Sequence, residues 1–166
     1  MSGIFPDLHV HTLAEIPLDE LSRRGIRGFL LDVDNTLTPW HQGKPAPGVT
    51  EWLRRLAERG FKACLLSNSA QEDVEDLARR LSLPAVWKAR KPSVAGFRRG
   101  CAILGLPPTQ VAMVGDQMFT DVWGGNRAGL YTILTDILDK REFWGTRLFS
   151  RTAERLAGRR SRRPRG

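Results

Sequence analysis

Gly28-Phe29-Leu30-Leu31-Asp32-Val33-Asp34-Asn35-Thr36-Leu37-Thr38 is the stretch whose reading decides the fold. An apolar run delivers two aspartates, two residues apart. A strand interior cannot solvate carboxylates, so Asp32 and Asp34 mark the point where a buried strand, predicted over 28–33, runs out. In an open α/β sheet that carboxyl lip is where ligands bind. Two anions forced together there call for a divalent cation, a shared proton, or both.

Working outward, further short apolar or β-branched runs occur at 61–66, 111–114 and 130–134, with a weaker one at 84–87. Helical patterns lie between them. Val49, Trp52, Leu53, Leu56 and Ala57 recur at i, i+3, i+4 spacing and stop at Gly60, a C-terminal cap signal. Residues 70–81 and 93–104 read the same way, with Pro92 in the first turn of the second. One more helix is expected from near Thr120 to about Gly129. This alternation predicts an α/β fold: a single Rossmann-like domain with a mostly parallel five-stranded sheet and helices on both faces. One helix and a Pro/Gly-rich loop (Thr38 to Gly48) separate the first two strands, which leaves no room for an inserted cap domain. Residues 1–27 are expected to form an extension, with a short helix around Leu18–Arg24. The predicted organisation is 1–140 as the folded domain, 141–158 as a basic amphipathic helix, and 159–166 as a disordered Arg-rich tail.

The chain's 166 residues suit one domain of ordinary soluble composition. Cys64 and Cys101 make no disulfide framework and no Cys-x-x-Cys, so both are expected to be reduced core residues. No apolar stretch approaches the roughly 18 residues that span a bilayer, and the start has no signal-peptide pattern. A cytoplasmic location is the expectation. The net charge of +8 is uneven: residues 141–166 hold nine Arg against Glu142 and Glu154, a net of +7, leaving +1 for residues 1–140. Such asymmetry points to an anionic partner reached through the tail, either membrane or nucleic acid.

Phosphate-ester hydrolysis by a carboxylate needs a nucleophile, an acid for the leaving oxygen, a cation, and donors for the non-bridging oxygens. Asp32 can be the nucleophile. Asp34, crowded by carboxylates, is the candidate proton donor and later the base for water, with Thr36 expected to orient it. Ser67 and Asn68, at the end of the next strand, supply groups for the phosphoryl oxygens. Lys91 stands just before a helix whose N-terminus favours anions, and its ammonium suits phosphate. Val114-Gly115-Asp116 ends another strand, with Asp121 five residues on. Asp116 would complete a Mg²⁺ site with the Asp32 carboxylate and the Asp34 backbone carbonyl, a sparse set that suits an ion retaining several waters. Asp121 is cast behind them, orienting a metal water or Lys91.

This ordered set resembles the haloacid dehalogenase (HAD) superfamily of aspartate-nucleophile phosphatases. The resemblance implies Mg²⁺-dependent phosphoryl transfer through an aspartyl-phosphate at Asp32. An acid two residues after the nucleophile is similar to the phosphatase branch. Leu31-Asp32-Val33-Asp34-Asn35-Thr36-Leu37, Lys91-Pro92 and Gly115-Asp116-Gln117 through Gly124-Gly125-Asn126-Arg127 and Gly129 look like the capless subclass IIIA, YqeG-type group. That group is related to the phosphatidylglycerophosphate phosphatases, and the resemblance implies that substrate and the making of phosphatidylglycerol. Thr135-Asp136 stands where the group has a proline-containing segment.

The tail bears on the same substrate. Trp144, Leu148, Thr152 and Leu156 recur every four residues beside Arg147, Arg151, Arg155 and Arg159. Such a helix could lie in an anionic lipid interface on the inner face of the membrane, or it could pack on the sheet with its arginines solvated. The alternative substrates are a soluble phosphate ester (a nucleotide or sugar phosphate) and a nucleic-acid end. A non-enzymatic metal-binding scaffold is the third reading. Asp7-Leu8-His9-Val10-His11-Thr12 superficially resembles the His-x-His opening of PHP-type phosphoesterases. Those sites need many further ligands and only His41 remains, so no metal site is expected there.

Overall fold

The computed structural model describes residues 3–39 and 44–136. The element order is β1 (Leu8–Val10), α1 (Leu18–Arg23), β2 (Gly28–Leu31), α2 (Val49–Glu58), β3 (Lys62–Leu66), α3 (Gln71–Leu81), β4 (Ala85–Val86), α4 (Val94–Leu104), β5 (Val111–Gly115), α5 (Gly124–Ala128) and β6 (Tyr131–Thr135). The strands form one parallel sheet in the order β1-β6-β5-β2-β3-β4. Six strands stand where five were expected. The addition is β1, three residues of the N-terminal extension that pair with β6. Leu8-His9-Val10 is too short and too polar to announce itself, and its strand character comes from a partner about 125 residues away in sequence.

Alternation along β2 divides the core between the two faces of the sheet. Phe29 and Leu31 point to the side covered by α1, α2 and α3, where they meet Leu21, Trp52, Leu56, Val74 and Leu77. Phe29 contacts the Trp52 and Phe61 rings edge-on, at centroid distances of 5.7 and 5.2 Å. Leu30 points the other way, into a cluster with Cys64, Leu66, Met113, Phe97 and Cys101 beneath α4. Both cysteines are buried and unpaired. All four residues of β2 are buried, as a central strand covered on both faces requires. The turn after α2 fits its expected cap: Gly60 takes φ +77°, and Gly60 and Phe61 donate back to the Ala57 and Leu56 carbonyls.

The strand order decides where chemistry can occur. From β2 the chain steps outward through β3 to β4, then returns to place β5 on the opposite side of β2. The switch in direction falls between β2 and β5, and the crevice beyond their carboxyl ends is the site such sheets provide. The segments that lead out of those two strands carry Asp32 and Asp116. The predicted helix after β5 starts two residues earlier than expected, with a π-helical turn at Met118–Trp123. Its wide geometry shows in the bonds from Asp121 and Val122 N–H, which both reach the Gln117 carbonyl. The expected helix at 141–158 and the tail at 159–166 lie outside the described residues.

Candidate active site

Asp32 extends the β2 ladder by one bond, from its N–H to the Val114 carbonyl at 2.9 Å, so the sheet itself holds its carboxylate at the switch point. The next residues turn sharply, with the N–H groups of Thr36, Leu37 and Thr38 gathered on the Val33 carbonyl. Asn35 sits at the crest with φ +59°, a conformation asparagine tolerates better than most residues. The turn buries Thr36, whose hydroxyl faces Asp32 Oδ2 at 3.2 Å and Asp116 Oδ1 at 3.4 Å. Thr36 was expected to orient Asp34. It serves Asp32 instead, because the turn carries the two side chains to different sides. Asp34 is half-buried and accepts from Ser69 Oγ at 3.0 Å.

Lys91 is the centre of the cluster. Its ammonium lies 2.7 Å from Asp32 Oδ1 and 2.7 Å from Asp121 Oδ1, with the side chain almost wholly buried. Burial alone would lower its pKa, but the Asp121 and Asp32 charges outweigh that and hold it above the usual lysine value. The second oxygen of Asp121 accepts the Gln117 N–H at 3.1 Å, so Asp121 fixes both Lys91 and the turn after β5. The Asn68 side-chain amide holds the Lys91 backbone. It accepts the Lys91 N–H at 2.7 Å and donates to the Lys91 carbonyl at 3.1 Å. This clamp on the backbone sets where the lysine stem begins. Ser67 is buried at the end of β3, its oxygen accepting the Ser69 N–H at 3.0 Å, and its hydroxyl proton remains available to a ligand.

The structure therefore brings Asp32, Lys91, Asp116, Asp121 and Thr36 into direct contact, with Asp34 joined to Ser69 beside them. Two features had no role in the sequence reading. Ser69 reaches Asp34. The Asn35 amide is fully buried with no hydrogen-bond partner among the described residues. A polar residue at the crest of the Asp-x-Asp turn was the available signal for it.

Three buried carboxylates face one ammonium, and that excess of negative charge needs an answer. Asp116 shows it most clearly, since its Oδ2 is buried without a partner among the described residues. Burial and the neighbouring Asp32 and Asp121 charges push its carboxyl well above the usual carboxylate range. Burial, seconded by Asp32, also raises Asp121 against the pull of Lys91. Asp32, Asp116 and Asp121 each offer an oxygen within 4.8 Å of the others. An orphaned buried oxygen in an all-oxygen donor set fits a hard divalent cation.

A carboxyl whose folded pKa exceeds its unfolded value stabilises the fold at low pH, and that contribution is lost as pH rises above about 4. The metal-free protein should therefore melt lower at pH 8 than at pH 5.5, and a divalent cation should restore more stability at the higher pH. Asp116→Asn removes the uncompensated charge. Its metal-free form should melt at or above wild type, with its response to added cation abolished. Calorimetry with and without chelator checks both outcomes, and an undiminished cation response in the variant would count against the site.

Gly115 admits Asp121 to this arrangement. A Cβ there would stand 2.6 Å from the Asp121 Cβ and overlap its carboxylate. Gly115→Ala is expected to cost about 1–3 kcal/mol of stability and to reduce turnover more than tenfold by displacing Lys91. Chemical denaturation and a phosphatase assay read the two effects separately.

The haloacid dehalogenase-like hydrolase family model matches residues 19–129, which hold every residue of this cluster. The chain belongs to that family. It is 35% identical over 150 residues to the probable phosphatase YqeG of Bacillus subtilis, an alignment spanning 90% of this chain and 87% of that protein. It is 32% identical over 148 residues to phosphatidylglycerophosphate phosphatase 1 of Arabidopsis thaliana, covering 84% of this chain and 42% of the plant protein. An uncharacterised Listeria monocytogenes protein shares the fold, with a TM-score of 0.57 at 18% identity over 76% of this chain and 99% of that one. The chain is thus a haloacid dehalogenase-like hydrolase built on a six-stranded parallel sheet.

Proposed function

We propose that this HAD phosphatase hydrolyses phosphatidylglycerophosphate with Mg²⁺ and an aspartate nucleophile. The observation that carries the chemistry is Lys91 held 2.7 Å from both Asp32 and Asp121, beside the orphaned Asp116 oxygen. In this reading a carboxylate oxygen of Asp32 attacks phosphorus, and the ester oxygen leaves with a proton from Asp34. Asp34 then takes a proton from water, whose oxygen attacks the phosphorus of the aspartyl-phosphate. Inorganic phosphate departs and Asp32 is restored. Lys91 and the Ser67 hydroxyl offset charge on the phosphoryl oxygens. Mg²⁺, held by Asp32, Asp116 and the Asp34 carbonyl, would supply the charge that lets an anion attack an anion.

The lipid assignment has separate support. The plant relative is named as a phosphatase of this substrate. The β3–α3 connection at the lip spans only residues 67–70, which leaves that side of the crevice free of an inserted domain that would exclude a bulky headgroup. Phe119, three residues past Asp116, is about half exposed and stacks on Trp123 at 5.0 Å, with Arg127 at 4.7 Å over the Trp123 ring. An aromatic pair with a cation suits a lipid interface. No helix among the described residues is long and apolar enough to cross a membrane. Attachment would be peripheral, from the cytoplasmic side, with the basic segment 141–158 adding electrostatic attraction.

Purified enzyme with phosphatidylglycerophosphate in anionic vesicles and Mg²⁺ should release phosphate faster than with soluble sugar phosphates, nucleotides or 5′-phosphorylated oligonucleotides. Preference for a soluble ester or a nucleic-acid end would keep the chemistry and reassign the substrate. No release from any ester would defeat both.

A further inference from the structure

A second cluster lies at the far edge of the same sheet. Parallel pairing sets Leu8 beside Ile133, His9 beside Leu134 and Val10 beside Thr135, so the register brings His11 next to Asp136. Side chains two residues apart on a strand share a face, which puts both imidazoles toward one carboxylate. His9 Nε2 lies 2.9 Å from Asp136 Oδ1, and His11 Nδ1 lies 2.7 Å from Asp136 Oδ2. The two rings are tilted, 5.6 Å between centroids. The ligand atoms of the three residues fall within 4.8 Å of one another. Glu15 Oε2 accepts the His11 N–H at 3.0 Å and adds negative charge beside the group.

We propose that His9, His11 and Asp136 form a surface site for a divalent transition metal of the zinc class. Two imidazole nitrogens and a carboxylate oxygen are the donors such ions favour, whereas Mg²⁺ prefers oxygen alone. A tetrahedral ion about 2.1 Å from each ligand needs ligand atoms about 3.4 Å apart. The two His–Asp contacts, now 2.9 and 2.7 Å, would open by about 0.5 and 0.7 Å to reach that value, within the reach of side-chain rotations. The side chains are 51%, 73% and 44% exposed, so an ion can enter from solvent and water can complete its coordination. Exposed ion pairs alone contribute little, which leaves the convergence of two imidazoles on one carboxylate without a purpose unless it holds a ligand.

The sequence spacing lacks the many further ligands of a PHP-type centre. The fold supplies what the spacing cannot, a carboxylate 125 residues away. β1 lies three strand spacings, about 14 Å, from β2, so this site is separate from the Asp32 cluster. A bound ion would tie the N-terminal strand to the end of β6 at the residue that leads into segment 137–166.

The chain has three histidines, which makes imidazole NMR a clean assay. The full chain is kept in saturating Mg²⁺, to occupy the oxygen-rich site, and titrated with Zn²⁺. At one equivalent the His9 and His11 ring signals should shift while His41 serves as control, and the melting temperature should rise. The combined His9→Ala and His11→Ala substitutions should weaken Zn²⁺ binding at least ~100-fold against a chromophoric chelator, and Asp136→Asn at least ~10-fold. Phosphatase activity with Mg²⁺ should be unchanged in each variant. Unshifted His9 and His11 signals in a large excess of Zn²⁺, or equal affinity in the double variant, would overturn the proposal and leave a plain His–Asp hydrogen-bonded contact.

Discussion

Asp32→Asn is expected to abolish phosphate release, lowering kcat by at least about 10⁴-fold, or about 5.5 kcal/mol of transition-state stabilisation. The amide is nearly isosteric with the carboxylate but cannot form the acyl-phosphate bond. The fold should survive. The amide oxygen can still accept from Lys91, and the Thr36 hydroxyl can accept the amide hydrogens where it now donates to Asp32 Oδ2. Lys91 keeps its Asp121 partner, and the cluster sheds one of its three negative charges. Circular dichroism and melting should therefore match or exceed wild type while turnover vanishes. Asp34→Asn provides the contrast. With a p-nitrophenyl ester, whose leaving group needs no proton, the first step should persist and phosphorylated enzyme should accumulate, detectable by intact mass. Unchanged hydrolysis by Asp32→Asn would sink the covalent mechanism.

Lys91→Met should be the most destabilising single change in the site. It leaves Asp32, Asp116 and Asp121 buried without a cation. Breaking one partner out of a buried charge cluster costs about 3–5 kcal/mol. Turnover should fall at the same time, because Lys91 no longer offsets the phosphoryl charge. The sign of the pH dependence is set by the acids. Lys91 now pulls the Asp121 pKa down; with it gone the folded pKa of Asp121 rises further above its unfolded value, so the variant should lose stability more steeply than wild type as pH rises from 5 to 8. Asp121→Asn added to Lys91→Met should recover part of the lost stability but none of the activity. A double-mutant cycle by urea denaturation measures that coupling. Additive costs would mean that the 2.7 Å contact between Lys91 and Asp121 is energetically idle.

Much of this protein is legible before any coordinates. The alternation of apolar runs and amphipathic helices identifies the parallel α/β class, because strand burial and helix periodicity are written locally in the chain. Helix ends land within a residue or two where a local device marks them, as Gly60 does after α2. Strand ends at Asp32 and Asp116 are equally visible, since carboxylates end an apolar run. β1 is invisible for the opposite reason. Three residues including a histidine carry no periodic signal, and only β6 makes them a strand.

The site divides along the same line. The residue types and their order along the chain point to two aspartates, a lysine and two further carboxylates gathered at strand ends, because carboxylates and an ammonium end the apolar runs there. Which group serves which is decided by the fold. Thr36 faces Asp32 and Asp116 rather than Asp34, Asn68 grips the Lys91 backbone, and Ser69 takes Asp34. The His9–His11–Asp136 cluster exists only because β1 and β6 are neighbours. Local sequence sets backbone preference and solvation, whereas a hydrogen bond between residues far apart in the chain depends on register and strand order, which the packing of the whole sheet settles.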